Sequence, residues 1–253
     1  NPYIDPTYKK HLSMLPETER RQKLLGDWDT FSGQYFVEFQ RQTHVVSPFA
    51  IPESWQRYRG IDFGTANPFC CLWGAVDPAD GTMYIYREAY HKNLTAAEQA
   101  RLIKRLSINE HEKPESFAMT VGDPSMWSNT QGTGSSVAQQ YQTNGVIMTK
   151  AKNHRIGGWQ NVRRYMHPSP LDGSVKLKIF DNCLNLIRTM PMMRHSHANP
   201  EDLDTKDEDH AVDALRYLLG CRPYEVSKKP GKKYAEGAEG RVQKYMERID
   251  KMS

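Results

Sequence analysis

Arg59-Gly60-Ile61-Asp62-Phe63-Gly64-Thr65 is a short apolar run interrupted by one carboxylate and closed by glycine. It predicts a strand over residues 59–63 with Asp62 near its end. An Asp between apolar strand residues and glycines suits a core poorly. It suits presentation of a carboxylate at a sheet's surface, where glycines let a phosphate or an ion approach. Downstream, residues 69–76 are apolar and β-prone, Asp77-Pro78-Ala79-Asp80-Gly81 reads as a turn, and residues 82–90 read as a returning strand. A first strand followed by a hairpin is the result.

The pattern then alternates. Residues 95–106 predict a helix, with Thr95 as N-cap and Glu98 at capping-box spacing. A strand over 116–121 delivers Gly122-Asp123-Pro124-Ser125. Helices over 135–143, 156–166 and 182–190 alternate with strands over 145–148 and 175–180. Residues 208–219 read as an amphipathic helix, ended by Gly220 and Pro223. Three antiparallel strands followed by αβ units predict an α/β fold: a mixed central sheet with helices on both faces. Ahead of it, residues 2–29 read as helical and 34–39 as a short strand, and 43–55, with Pro48 and Pro52, as a linker or extended arm. The expected organisation is an arm over 1–55, the α/β domain over 56–222, and a basic, flexible tail over 223–253.

Composition excludes several classes. Hydrophobic residues make up 38% and charged residues 25% of the 253, as in soluble globular proteins. No apolar run approaches the roughly 20 residues that span a bilayer. Cys70, Cys71, Cys183 and Cys221 form no CxxC pair and no zinc-like Cys/His spacing, so reduced, mostly buried thiols of an intracellular protein are expected. The net charge of +4 is mild, but its distribution is informative. Lys150, Lys152, His154, Arg155, Arg163 and Arg164 form one basic stretch, Lys228, Lys229, Lys232 and Lys233 another, and acids concentrate between Glu201 and Asp213. Cations for phosphates beside carboxylates for a metal are what a metal-using nuclease needs. Lys150, Lys152, Arg155, Arg163 and Arg164 are the candidate DNA-binding residues.

The candidate carboxylates stand on separate elements: Asp62 after one strand, Asp123 after another, and Asp213 on the last helix. His210 and Asp209 lie three and four residues before Asp213, on its face of the helix. Phosphodiester hydrolysis requires an activated water and a stabilised leaving alkoxide, which two divalent ions ~3.5–4 Å apart supply together. Taken singly, each residue has a bland reading: a turn for Asp62, a cap for Asp123, a match to the helix dipole for Asp209 and Asp213.

The ordered set of Arg59-Gly60-Ile61-Asp62-Phe63-Gly64, Gly122-Asp123-Pro124-Ser125 and Asp209-His210-Ala211-Val212-Asp213-Ala214-Leu215-Arg216-Tyr217 resembles the nuclease domain of the large terminase subunit of tailed bacteriophages, the motor that packages viral DNA. Gly26-Asp27-Trp28-Asp29 with Gly33-Gln34-Tyr35-Phe36, and Lys178-Ile179-Phe180-Asp181-Asn182-Cys183, are similar to that family as well. The resemblance implies an RNase H-like fold and cleavage of double-stranded viral DNA with little sequence preference, at the start and end of packaging, by a pair of Mg²⁺ or Mn²⁺ ions. It implies that Asp62, Asp123 and Asp213 are catalytic metal ligands, that His210 is functional, and that Asp209 is an additional ligand. The implied partners are DNA and, in a full-length motor, the portal protein and small terminase subunit. The setting is the host cytoplasm, with no membrane association, and the isolated domain is expected to be a monomer. No G-x-x-x-x-G-K-[ST] phosphate loop is present, so no ATPase activity is expected and the chain reads as the C-terminal half of such a motor. Two rival readings are an actin-like nucleotide-binding domain, whose first phosphate loop residues 61–65 also resemble, and a non-catalytic module for DNA binding or portal docking.

Overall fold

A computed structural model of the chain describes residues 33–128, 134–204 and 206–222. The segment expected as a first helix and the basic tail lie outside these. A helical turn, Arg41–His44, leads into a two-residue strand, β1 (Val45–Val46). There follow β2 (Gln56–Asp62), β3 (Phe69–Val76), β4 (Met83–His91), α1 (Ala96–Leu106) and β5 (Met119–Gly122). Then come α2 (Val137–Thr143), β6 (Thr149–Lys150), α3 (Arg155–Met166), β7 (Leu177–Phe180), α4 (Leu184–Thr189) and α5 (His210–Gly220). The strands form one sheet in the order β1-β7-β4-β3-β2-β5-β6. β3 pairs antiparallel with β2 and β4, and every other pairing is parallel.

The hairpin forms where the sequence predicts it. Every residue of β3 is buried, so the strand is covered on both faces and needs no polar alternation. Burying a side chain such as Leu72 stabilises by about 1.5–3 kcal/mol. The turn is closed by Asp80, whose carboxylate accepts from the backbone N–H and the hydroxyl of Thr82, with Gly81 at φ 79°. Cys70, Cys71 and Cys183 are buried free thiols, and burial pushes the Cys71 thiol up to about 12.

Helices cover both faces. On one, α1 begins with the expected capping box at Thr95 and Glu98. Beyond its end, Ser107 accepts from Arg59 Nη1 at 2.9 Å and Trp73 Nε1 at 3.0 Å. Gln99 of α1 is buried; it donates to the Gly64 carbonyl at 2.6 Å and accepts from Tyr141 of α2 at 2.5 Å. On the other face, α5 packs on β2 and β3, with α3 and α4 beside it. Gly60 permits this approach: a Cβ there would lie 2.2 Å from the Ala214 carbonyl and 2.7 Å from Leu218 Cβ. The glycine expected to admit a ligand instead admits a helix. No helix among the described residues is long and apolar enough to cross a membrane.

Three local expectations are corrected. Residues 34–39 form turns with one isolated bridge, Gln34 to Arg194, rather than a strand. Their period comes from Tyr35, Phe36 and Phe39 turning inward, Phe36 against Trp159. The segment expected as a linker contributes β1, which pairs Val45 with Ile179 of β7. The strand expected over 145–148 lies later, at Thr149–Lys150, because Gly145 takes φ 86° at the end of the α2 turn.

Candidate metal centre

Asp62 ends β2, and the β2–β5 register pairs Ile61 with Gly122, so Asp62 and Asp123 leave adjacent parallel strands side by side. The backbone N–H of Asp123 bonds the Ile61 carbonyl at 2.9 Å, which fixes that neighbourhood. Asp213 arrives from above on α5, whose close seat on Gly60 brings it down to the same strand ends. The site is thus assembled from three elements by strand register and one missing side chain.

Each carboxylate has a protein partner. Asp62 Oδ2 meets His210 Nδ1 at 2.9 Å. Asp213 Oδ1 accepts from Arg216 Nε at 2.7 Å and lies 2.5 Å from Arg216 Nη2. Asp123 Oδ1 accepts from the Ser125 N–H at 2.6 Å and so caps the short 3₁₀ turn Pro124–Trp127. Asp62 and Asp213 are buried, with exposures of 5% and 8%. Burial pushes the Asp62 carboxyl up to about 7; the negative charges of Asp213 and Asp123 add to this, and the His210 contact opposes it. Asp209 is pushed up to about 6 by burial and by Asp213. It is the N-cap of α5 yet makes no capping bond with its side chain. The contact with Asp62 raises the His210 pKa.

Four carboxylates therefore act on one another's charge at this corner, with Arg216 and His210 beside them. Hard oxygen donors in excess are the chemistry that Mg²⁺ and Mn²⁺ take. In the geometry as it stands, no three His, Cys, Asp or Glu side chains among the described residues gather closely enough to hold an ion. The donor set fits; Asp62 and Asp213 are turned towards His210 and Arg216.

The basic candidates divide. Lys150 ends β6 opposite Gly122, one residue from Asp123, and is exposed, as are Lys152 and Arg164. Arg155 gives its Nε to both oxygens of Asp202, at 2.8 and 2.9 Å. Arg163 pairs with Glu38 at 2.7 Å, two helical turns along α3. These two are tied into the structure by acids 47 and 125 residues away in sequence. Arg216, by contrast, carried no assigned role in the sequence. Its only signal there was its place three residues after Asp213, on the same helix face.

The architecture is α/β and RNase H-like, with the carboxylates at the ends of central strands. No protein-family model matches the chain, and no curated protein sequence matches it. Solved structures do. The P22 large terminase nuclease domain superposes with a TM-score of 0.61 at 20% identity, over 76% of this chain and 93% of that one. The large terminase of a thermophilic bacteriophage, in complex with ATP-γ-S, gives 0.59 at 21%, over 86% of this chain and 53% of that one. The chain thus spans about half the length of that thermophilic phage protein. The g2p large terminase nuclease domain of bacteriophage SPP1, with bound Mn, gives 0.50 at 15%, over 73% and 96%. This chain shares the fold of phage large terminase nuclease domains.

Proposed function

We propose that this chain is a divalent-metal-dependent endonuclease that cuts double-stranded viral DNA during genome packaging. The observation that carries the reading is the convergence of Asp62, Asp123 and Asp213, from two strands and a helix, into one corner with unbalanced negative charge. The shared fold supports it.

In this reading Asp62, Asp123 and Asp213 hold the metal, with Asp209 beside them. Two bound Mg²⁺ or Mn²⁺ ions would supply an activated water and charge stabilisation at the leaving oxygen. His210 orients the Asp62 carboxylate through its 2.9 Å contact. Lys150 and Lys152 bind phosphates beside the carboxylates, with Arg164 further along α3. The portal protein and small terminase subunit are the proposed partners of a longer motor, and the host cytoplasm its proposed setting.

The test is relaxation and linearisation of supercoiled plasmid in Mg²⁺ or Mn²⁺. Asp62→Asn should lower the rate roughly 100-fold or more, with the fold retained by circular dichroism. The second reading, a non-catalytic DNA-binding module, draws on the absence of a ready-gathered metal group among the described residues. It predicts no metal-dependent cutting by either protein. Cleavage by Asp62→Asn at the parent rate would remove the metal assignment.

A further inference from the structure

Arg216 is 3% exposed, deep for a permanently charged group. Its guanidinium is held from several sides. It lies 4.7 Å over the Trp159 ring and 4.4 Å over the Tyr217 ring. The helix beneath is glycine where the stem passes: a Cβ on Gly158 would lie 2.8 Å from Arg216 Cγ and Cδ. Its Nη1 is buried without a hydrogen-bond partner among the described residues. The cradle thus fixes one orientation at the expense of a donor.

That orientation is unusual in how it meets Asp213. An arginine fork ordinarily takes both oxygens of a carboxylate. Here Nε and Nη2 both converge on Oδ1, at 2.7 and 2.5 Å, and leave Oδ2 without an Arg216 bond. We infer that Arg216 is a positioning residue that confines Asp213 to one-oxygen ligation and thereby sets the site's preference for Mg²⁺ or Mn²⁺ over Ca²⁺. This rests on the metal-centre reading above.

The chemistry follows from ion size. Ca²⁺ takes six to eight oxygens and readily accepts both from one carboxylate, whereas Mg²⁺ holds to octahedral geometry. Mn²⁺ favours an octahedral oxygen shell as well. With Oδ1 accepting the Nε–H bond and held against Nη2, Asp213 has one oxygen to offer, which costs Ca²⁺ a ligand and Mn²⁺ none. The positive charge of Arg216 repels all divalent ions alike, so its electrostatic effect cancels in a ratio of affinities. Only a change in the mode of ligation moves that ratio.

The experiment measures Mn²⁺ and Ca²⁺ binding by the whole chain, without DNA, by calorimetry and by electron paramagnetic resonance of free Mn²⁺. The parent protein should prefer Mn²⁺. Arg216→Met, which keeps an apolar stem against Trp159, should lower the Mn²⁺-to-Ca²⁺ affinity ratio by about tenfold or more. Arg216→Lys, with a single ammonium in place of the fork, should lower it less. Equal ratios in the parent and both variants would overturn this inference and leave the metal centre standing. Absence of Mn²⁺ binding in all three would overturn both. Should Arg216→Met fail to fold, Arg216→Lys decides alone, and a ratio unchanged from the parent overturns the inference.

Discussion

The Glu115 carboxylate is buried between two arginines, 2.8 Å from Arg87 Nη1 and 3.6 Å from Arg57 Nε, and accepts from the Tyr86 hydroxyl at 3.2 Å. Arg57 donates onward to the backbone carbonyls of Ile51, Pro52, Glu53 and Trp55. Asp62 lies on the same strand as Arg57 but on the other face, among Asp123, Asp209 and Asp213. Both clusters bury carboxylates at one sheet. The first is closed, each carboxylate oxygen facing an opposite charge. The second holds like charges together and has too few cations to balance them. A buried carboxylate that the chain itself neutralises serves the fold, and one left in excess is what the proposed metal would neutralise.

The sharpest way to break this contrast is a pair of substitutions that each remove one negative charge. Glu115→Gln strips the charge partner from buried Arg57 and half-buried Arg87 and should cost about 3 kcal/mol of stability. Its rate of plasmid cleavage per folded molecule should stay unchanged. Asp62→Asn removes a repelled charge, so in metal-free buffer at pH 8 its melting temperature should equal or exceed the parent's. The melting temperature should therefore fall for Glu115→Gln and hold or rise for Asp62→Asn; a fall in both would erase the distinction.

A pH series sharpens the same point. Asp62 is raised from an ordinary 3.8 to about 7, so between those values the folded chain holds a proton that the unfolded chain has lost. Its contribution to stability is present at low pH and is lost as pH rises towards 7. His210, also raised, acts in the same direction. Buried His44, whose pKa burial lowers, acts in the opposite sense, losing stability as pH falls below its ordinary 6.5. Calorimetry without metal should show the Asp62 decline between about pH 4 and 7, and Mn²⁺ or Asp62→Asn should flatten it. A decline that survives both belongs to other groups.

The smallest effect separates exposed from committed cations. Lys150→Ala should weaken DNA binding and reduce the salt slope by about one, as loss of one phosphate contact does. Arg163→Ala, already paired with Glu38, should leave the slope alone. Filter binding across a salt series reads both.

The hairpin and the first capping box were legible because local chemistry decides them: β3 coincides with residues 69–76, and Thr95 caps α1 through its own side chain. Asp62 and Asp123 stood out as candidates because polar residues at the ends of apolar strands have few structural uses, whereas Asp213, on a helix, was marked by the order of the motifs. Pairings across long sequence distances were not. Arg155 and Asp202, or Arg163 and Glu38, carry no local mark of each other, so both arginines read as free basic charge. Residues 34–39 misled for a related reason, since their aromatics are buried against Trp159 and the loop over 195–204 rather than against a neighbouring strand. Gly60 was legible as a place of close approach, but a helix fills it.

The docking of α5 onto Gly60 has a consequence for how the molecule comes into being. Asp62 and Asp123 leave a ribosome well before Asp213 and Arg216, which belong to the last helix of the described residues. A nascent chain can pair its first strands well before that helix exists. Its corner then holds two carboxylates and an open slot over Gly60, a vestibule without its roof. Any product interrupted before about residue 220 would carry the sheet without the two side chains that α5 brings to its corner.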